Sequence, residues 1–491
     1  MNASKLCRSR YTVYILLLLF VLLHGCAESG SMTLSHPDDD AWSLDSGRAD
    51  SEHPDDEDPT VDTPDAEQPG DFDTYDPGVP DVSTPDTSLP HNPVDAGDQD
   101  PDISEPDASQ PDVKDPGYPD IGEPDVVEEP YDPIDWFTPH PPVTKTPHDQ
   151  WKYVPVEGAV CANGDQSGFF INFSHTSSDV LIFLLGGGIC YDDPSCLLHV
   201  GLVNNGMGGD PYNWWMQQGA RHTGVFQRHN PENPFKDASY VVLPHCTVDF
   251  HAANKESTYA STGTIQQRGY RNVQLAMNHV VPTFANPDRN VTIAGFSAGG
   301  VGTLANYHQI ASAFESYGHQ PPFMINDSGP IQTRPFFSLN SHNALRGGWN
   351  LSDTIDPWCE TCADQGYHET LYWIHQLHPG VRTSLITAYG DMVVMGLYGL
   401  FDVGNVGHFQ IDIIPTPPFS YTYMRPGLDA FRAWSEGFPT AGMHRNLLYH
   451  WGDRHGALMV APISEAHTPA IVPFLNAQLN RNDPYWFSPH Y

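Results

Sequence analysis

"NVTIAGFSAGGVGTLANYHQIASAF", residues 290–314, passes within one turn of chain from an apolar, β-branched run to a run of small residues. The first half reads as a buried strand, and the second can start a helix at once. Ser297 stands at the junction between Gly295 and Gly299. A serine so placed sits on a sharp strand-to-helix turn, with its hydroxyl at the helix N-terminus. G-x-S-x-G alone is a weak signal in a chain of 491 residues; the strand before it and the helix after it give it weight.

Outward from this turn the same pattern recurs. "DVLIFLLGGG" (179–188), "DASYVVLPHC" (237–246), "PPFMINDSG" (321–329), "RTSLITAYGD" (382–391) and "RNLLYHWGD" (445–453) are apolar runs ending in Gly, Asp, Ser or Cys. Buried parallel strands look like this when each delivers a loop to one sheet edge. Helix-like stretches such as "YRNVQLAMNHVVPTFA" (270–285) lie between several of them. The pattern predicts an α/β-hydrolase-like fold: a doubly wound, mostly parallel sheet with helices on both faces and the ligand site beyond the strand C-termini.

A serine nucleophile needs a base, an acid to orient it, and donors for the oxyanion. In α/β-hydrolases the order is Ser, acid, His, so the partners lie after residue 297. Asp327 in "MINDSGP" and Asp391 in "LITAYGDMVV" compete as the acid. The acid should follow the second strand after the nucleophile and the histidine the third, which favours Asp391 and His455. Asp327 is then left to the pocket or its turn, with Ser328 beside it. Gly186, Gly187 and Gly188 end an early strand, where bare backbone amides could face an oxyanion; Gly187, Gly188 and the amide of Ala298 are the candidate donors. Neither a G-x-G-x-x-G spacing nor a P-loop lysine accompanies them, which argues against a phosphate site.

The chain around this core is divided by composition. Lys5, Arg8 and Arg10 precede "YTVYILLLLFVLLHG", a secretory signal layout over residues 1–26. It ends in "LLHGC", so Cys26 is a candidate lipidation site that would tether the exported chain to a membrane as a lipoprotein. Residues 27–140 hold 34 acidic residues against Arg48 and Lys114, with 19 prolines. Such a segment reads as an extended, disordered acidic linker. Residues 141–491 carry 27 acidic and 17 basic residues and read as one catalytic domain. The acidity therefore belongs to the spacer, and no basic stripe supports nucleic-acid binding.

Six cysteines remain beyond Cys7 and Cys26. Export favours disulfides. Cys190 and Cys196 bracket a short loop after the glycines, Cys359 and Cys362 are adjacent in "CETC", and Cys161 and Cys246 are left to pair.

At these residues the chain resembles the pectin acetylesterase family of carboxylesterases, Notum-like enzymes included. The resemblance rests on ordered blocks: "CANGDQSG", "GGGIC" with "PSC", "GVFQRHNPENPFKDASYVVLPHCTVDFHAAN", "GYRNV", "GFSAGGVG", "NDSGP", "YGDMVVMGLYG" and the histidine loop. It implies ester hydrolysis by Ser297, Asp391 and His455 with no metal or organic cofactor. The family usually has tryptophan at Ile189 and glycine at Val248, so the substrate is left open. Ile189, Asp327 and Ser328 are the candidate substrate contacts. The expected activity is removal of acetyl or another short acyl group from an extracellular glycan by a monomeric esterase. A long-chain acyl hydrolase is a second expectation, with "NNGMGGDPYNWWMQQG" (204–219) and "DMVVMGLYGLF" (391–401) as possible walls. A non-catalytic glycan-binding protein on the same scaffold is a third.

Overall fold

The computed structural model describes residues 131–197, 220–405, 417–438, 444–449, 455–459, 470–484 and 486–488. The signal segment, Cys26, the linker up to Pro130 and the stretch 204–219 lie outside the described residues.

Among the described residues, eight strands form one sheet. They are β1 (Trp151–Val160), β2 (Gln166–Asn172), β3 (Val180–Leu184), β4 (Ser239–Leu243), β7 (Val291–Phe296), β8 (Phe323–Asp327), β9 (Thr383–Ala388) and β10 (His444–Tyr449). A separate hairpin pairs β5 (Lys255–Tyr259) with β6 (Gly263–Gln267). The sheet order is β1-β2-β4-β3-β7-β8-β9-β10. β1, β2 and β4 pair antiparallel, and β4 through β10 run parallel. This is the α/β-hydrolase arrangement that the apolar runs predict, with an antiparallel edge added.

Both faces are covered, which explains why the central runs show no polar alternation. Along β3, Val180, Ile182 and Leu184 join one core cluster, while Leu181 and Phe183 join the other. The first cluster receives α1 (Gly269–Thr283) and α2 (Ala298–Glu315); the second receives α7 (Ile471–Leu479). Each such side chain taken fully from water is worth roughly 1.5–3 kcal/mol before chain entropy is counted.

The topology also selects the site. From β3 the chain moves outward to β4, and from β7 it moves the other way through α2 to β8. A crevice opens beyond the strand C-termini where two adjacent parallel strands send their connections apart. Those strands are β3, which delivers Gly186–Gly188, and β7, which delivers Ser297.

The packed chain begins earlier than composition suggests. Ile134, Trp136 and Phe137 pack against the first core cluster. Asn278 on α1 accepts Thr138 N–H at its side chain and His140 N–H at its carbonyl, 2.9 and 2.8 Å away. Residues 131–140, read from sequence as the end of the acidic linker, are therefore part of the domain.

All three disulfides join the expected partners: Cys161–Cys246, Cys190–Cys196 and Cys359–Cys362. Cys359 and Cys362 are buried in the core, out of reach of an attacking thiol. Cys161–Cys246 spans 85 residues, a closure worth about 4–5 kcal/mol on the chain-entropy account.

Candidate active site

Ser297 caps α2 from the end of β7 with φ 57° and ψ −121°. A non-glycine residue there is strained, at a cost of about 1–3 kcal/mol. Flanking glycines make the turn possible. A Cβ at Gly295 would stand 2.0 Å from the Gly299 carbonyl oxygen, and one at Gly299 would stand 2.0 Å from that of Leu184. α2 can therefore approach β7 only with glycine at 295, and β3 only with glycine at 299.

Gly186 lies against this turn: an added Cβ would be 2.8 Å from Ser297 Cβ. Gly187 and Gly188 follow with φ 146° and 26° and are partly exposed, whereas Ala298 is buried. The glycine loop is fixed from below. Leu185 N–H donates to the Leu243 carbonyl, and its own carbonyl accepts from His251 Nε2 at 2.9 Å. Burial pushes the His251 imidazole down to about 4, so it stays neutral and donates a single proton there. Beyond the glycines, Cys190 N–H donates to the Val248 carbonyl at 2.8 Å, and the Cys190–Cys196 bridge closes the loop.

His251 was not legible as a support in sequence, although "HCTVDFH" concentrates polar residues in a buried turn. Val248 adopts φ 51°, a conformation that β-branched side chains rarely enter.

Asp391 ends the turn after β9 and is fully buried. Its Oδ1 accepts Val393 and Val394 N–H at 3.1 and 3.0 Å, capping α5 (Met392–Asn405). His455 Nδ1 stands 2.8 and 3.0 Å from the two Asp391 oxygens. A carboxylate there fixes the tautomer with hydrogen on Nδ1 and the lone pair on Nε2. His455 Nε2 is shielded from solvent and has no hydrogen-bond partner among the described residues. The His455 ring lies 4.9 Å from that of Phe296, the residue before Ser297. Burial alone would lower the His455 pKa; the Asp391 charge, its hydrogen bond and the more distant Asp327 charge outweigh it and raise the pKa above the ordinary value.

Three expected substrate contacts are placed otherwise. Ile189 is 1% exposed and belongs to the core, because the chain turns inward to reach Val248 and the disulfide. Asp327 and Ser328 are buried, and their polar atoms are engaged by the loop that carries His455. Asp391, not Asp327, meets the imidazole.

The pectinacetylesterase family pattern matches residues 150–330, a span that includes the glycine loop and Ser297. Over this span the chain resembles the pectin acetylesterase and Notum-like family. Among similar proteins, palmitoleoyl-protein carboxylesterase notum2 of Xenopus laevis is 29% identical over 159 residues, 32% of this chain and 31% of that protein. Palmitoleoyl-protein carboxylesterase NOTUM of Drosophila melanogaster is 24% identical over 237 residues, 46% of this chain and 34% of that one. The chain thus spans about a third of the length of these relatives. A structure of the Wnt deacylase Notum from Drosophila superposes with a TM-score of 0.47 at 18% identity, covering 62% of this chain and 86% of that one.

Proposed function

We propose that this protein is a serine carboxylesterase acting through an acyl-enzyme. The observation that carries the reading is the Asp391–His455 pair, whose free Nε2 lies in the loop beside the strained turn of Ser297. His455 takes the Ser297 proton as Oγ attacks the ester carbonyl, and returns it to the leaving alcohol. Water then attacks the acyl-enzyme by the same route, releasing the acid and free Ser297. Asp391 holds the imidazole and balances its charge while it is protonated. Gly187, Gly188 and Ala298 amides face the oxyanion, where one such donor is worth ~10²–10³ in rate.

The substrate reading that we favour is a short O-acyl group, acetyl above all, on an extracellular glycan, in keeping with the pectinacetylesterase match. A second reading is a long acyl chain. It is favoured by half-buried Val393, Met395 and Leu397 on α5, directly after Asp391, and by a small apolar cavity lined by Val301, Leu304, Ile331 and Trp349 beside α2. The relatives named as palmitoleoyl-protein carboxylesterases lean the same way. Hydrolysis of p-nitrophenyl esters from acetate to palmitate, repeated on acetylated polysaccharides, is expected to show kcat/KM highest for acetate. A maximum at long chains selects the second reading, and no turnover of any ester by folded protein removes both.

The leader-like N-terminus and the disulfides support export, and the lipobox-like "LLHGC" supports anchoring at Cys26. Acylation of Cys26 is expected to hold the protein in the membrane fraction, and Cys26→Ala to release it. Unchanged fractionation of that variant would discard the anchor.

A further inference from the structure

The motif "NDSG", Asn326–Gly329, ends β8 between the strands that deliver Ser297 and Asp391. Its main chain reaches both neighbours. The Asp327 carbonyl accepts Ser297 N–H at 2.7 Å, and Ser328 N–H donates to the Ile386 carbonyl on β9 at 2.8 Å. Its side chains reach the third element. Asp327 Oδ2 accepts Ala457 and Leu458 N–H at 2.9 and 2.7 Å, and Ser328 Oγ accepts Gly456 N–H at 3.1 Å. These are the three residues after His455.

The turn is built for this and for little else. Ser328 is held at φ 58°, Asn326 closes the turn by bonding both backbone groups of Gly329, and a Cβ at Gly329 would stand 2.6 Å from the Ser297 carbonyl oxygen. Asp327 has no exposed surface. Burial pushes its carboxyl up to about 6, with the Leu458 and Ala457 amides and the His455 charge pulling the other way. The desolvation of this buried carboxylate is offset by its bonds to the histidine loop, the His455 charge and the Ser328 hydroxyl, which donates to Oδ1 at 3.2 Å.

Resting on the esterase reading, we infer that the Asp327–Ser328 turn is the positioning element of the site. It sets His455 against Ser297 by holding the nucleophile's turn with its main chain and the histidine loop with its side chains. Asp391 orients the ring, and Asp327 places the loop that carries it. Neither Asp327 nor Ser328 touches the reacting atoms.

Two variants test this in the full-length protein. Asp327→Asn replaces one acceptor by an amide that opposes the Ala457 and Leu458 N–H groups, so the loop must shift. A shift of about 1 Å is expected to lower kcat ~10²-fold with KM little changed. Among the described residues, Asp391 and Asp327 are the titratable groups that act on His455, with the buried Tyr449 beside both carboxyls, and removing the Asp327 charge is expected to move the His455 titration to lower pH, read by NMR on the ring itself. Ser328→Ala removes the Gly456 acceptor and the hydroxyl that donates to Asp327 Oδ1 at 3.2 Å, leaves the Asp327 carboxyl in place, and is expected to lower kcat ~10-fold with that titration little moved. A folded Asp327→Asn protein with wild-type kcat and an unmoved His455 titration overturns the inference. If Asp327→Asn does not fold, Ser328→Ala decides: a lowered Tm with wild-type kcat overturns it, and a lowered kcat at unchanged Tm supports it. Failure of the esterase reading has a separate signature, an unmodified Ser297 in wild-type protein treated with a fluorophosphonate. The ring titration decides the role of Asp327 in that case too.

Discussion

Ser297→Ala is expected to lower ester turnover by ~10³-fold or more while leaving the domain folded. The side chain leaves no large void, because Ser297 is only half-buried and its cap position makes no side-chain hydrogen bond to the helix. What holds the turn is main chain: Ser297 N–H on the Asp327 carbonyl, Val301 N–H on the Ser297 carbonyl, and glycine on either side. Alanine keeps all of these and can occupy the same φ and ψ at a similar strain. Only Oγ goes. Without it no acyl-enzyme forms, and the oxyanion donors and His455 are left to assist direct attack by water, which accounts for a residual rate rather than zero. Thermal unfolding within a few degrees of wild type, together with loss of fluorophosphonate labelling, checks that the loss is chemical. A folded variant with near-normal turnover would remove Ser297 as nucleophile.

Much of this site could be read from sequence because its chemistry depends on order along the chain. Parallel strands that alternate with helices deliver their loops to one edge, so the order Ser297, Asp391, His455 follows once the strands are counted. Asp391 separates from Asp327 on that count alone. What Asp327 does instead could not be read, since its partners are the backbone amides of Ala457 and Leu458, and every residue has an amide. Ile189 misled for a related reason: the stretch "GGGIC" signals bare amides but not where the next side chain goes, and the bond from Cys190 N–H to Val248 turns Ile189 into the core. β1 escaped notice because Pro155 and Gly158 break its pattern, which an edge strand tolerates. Residues 131–140 were hidden by averaging. Their two aspartates and two prolines match the linker, while Ile134, Trp136 and Phe137 do not.

Asp391→Asn separates orientation from the presence of a base. The asparagine fits the same buried space and can still offer one oxygen, for which the Val393 and Val394 amides compete with His455 Nδ1–H. If the oxygen caps the helix, the amide NH₂ faces the ring and selects the tautomer with hydrogen on Nε2, which cannot accept the Ser297 proton. A loss of ~10³–10⁴ in kcat/KM is expected, with KM nearly unchanged. The pH profile gives a second reading with a definite sign. His455 acts as a base only when neutral, so wild-type activity falls on acidification through its pKa, which Asp391 and Asp327 hold above the ordinary value against burial. Removing the Asp391 charge leaves burial opposed by Asp327 alone, so the acid limb of the residual activity is expected at lower pH than in wild type. Stability should follow the same linkage. A histidine whose folded pKa is raised contributes stability that is full below its unfolded pKa and is lost as pH rises through the folded one. Asp391→Asn should therefore cost more Tm near pH 6 than near pH 8. An Asp391→Asn protein that keeps wild-type kcat/KM, or whose acid limb moves upward, would take the orienting role away from Asp391.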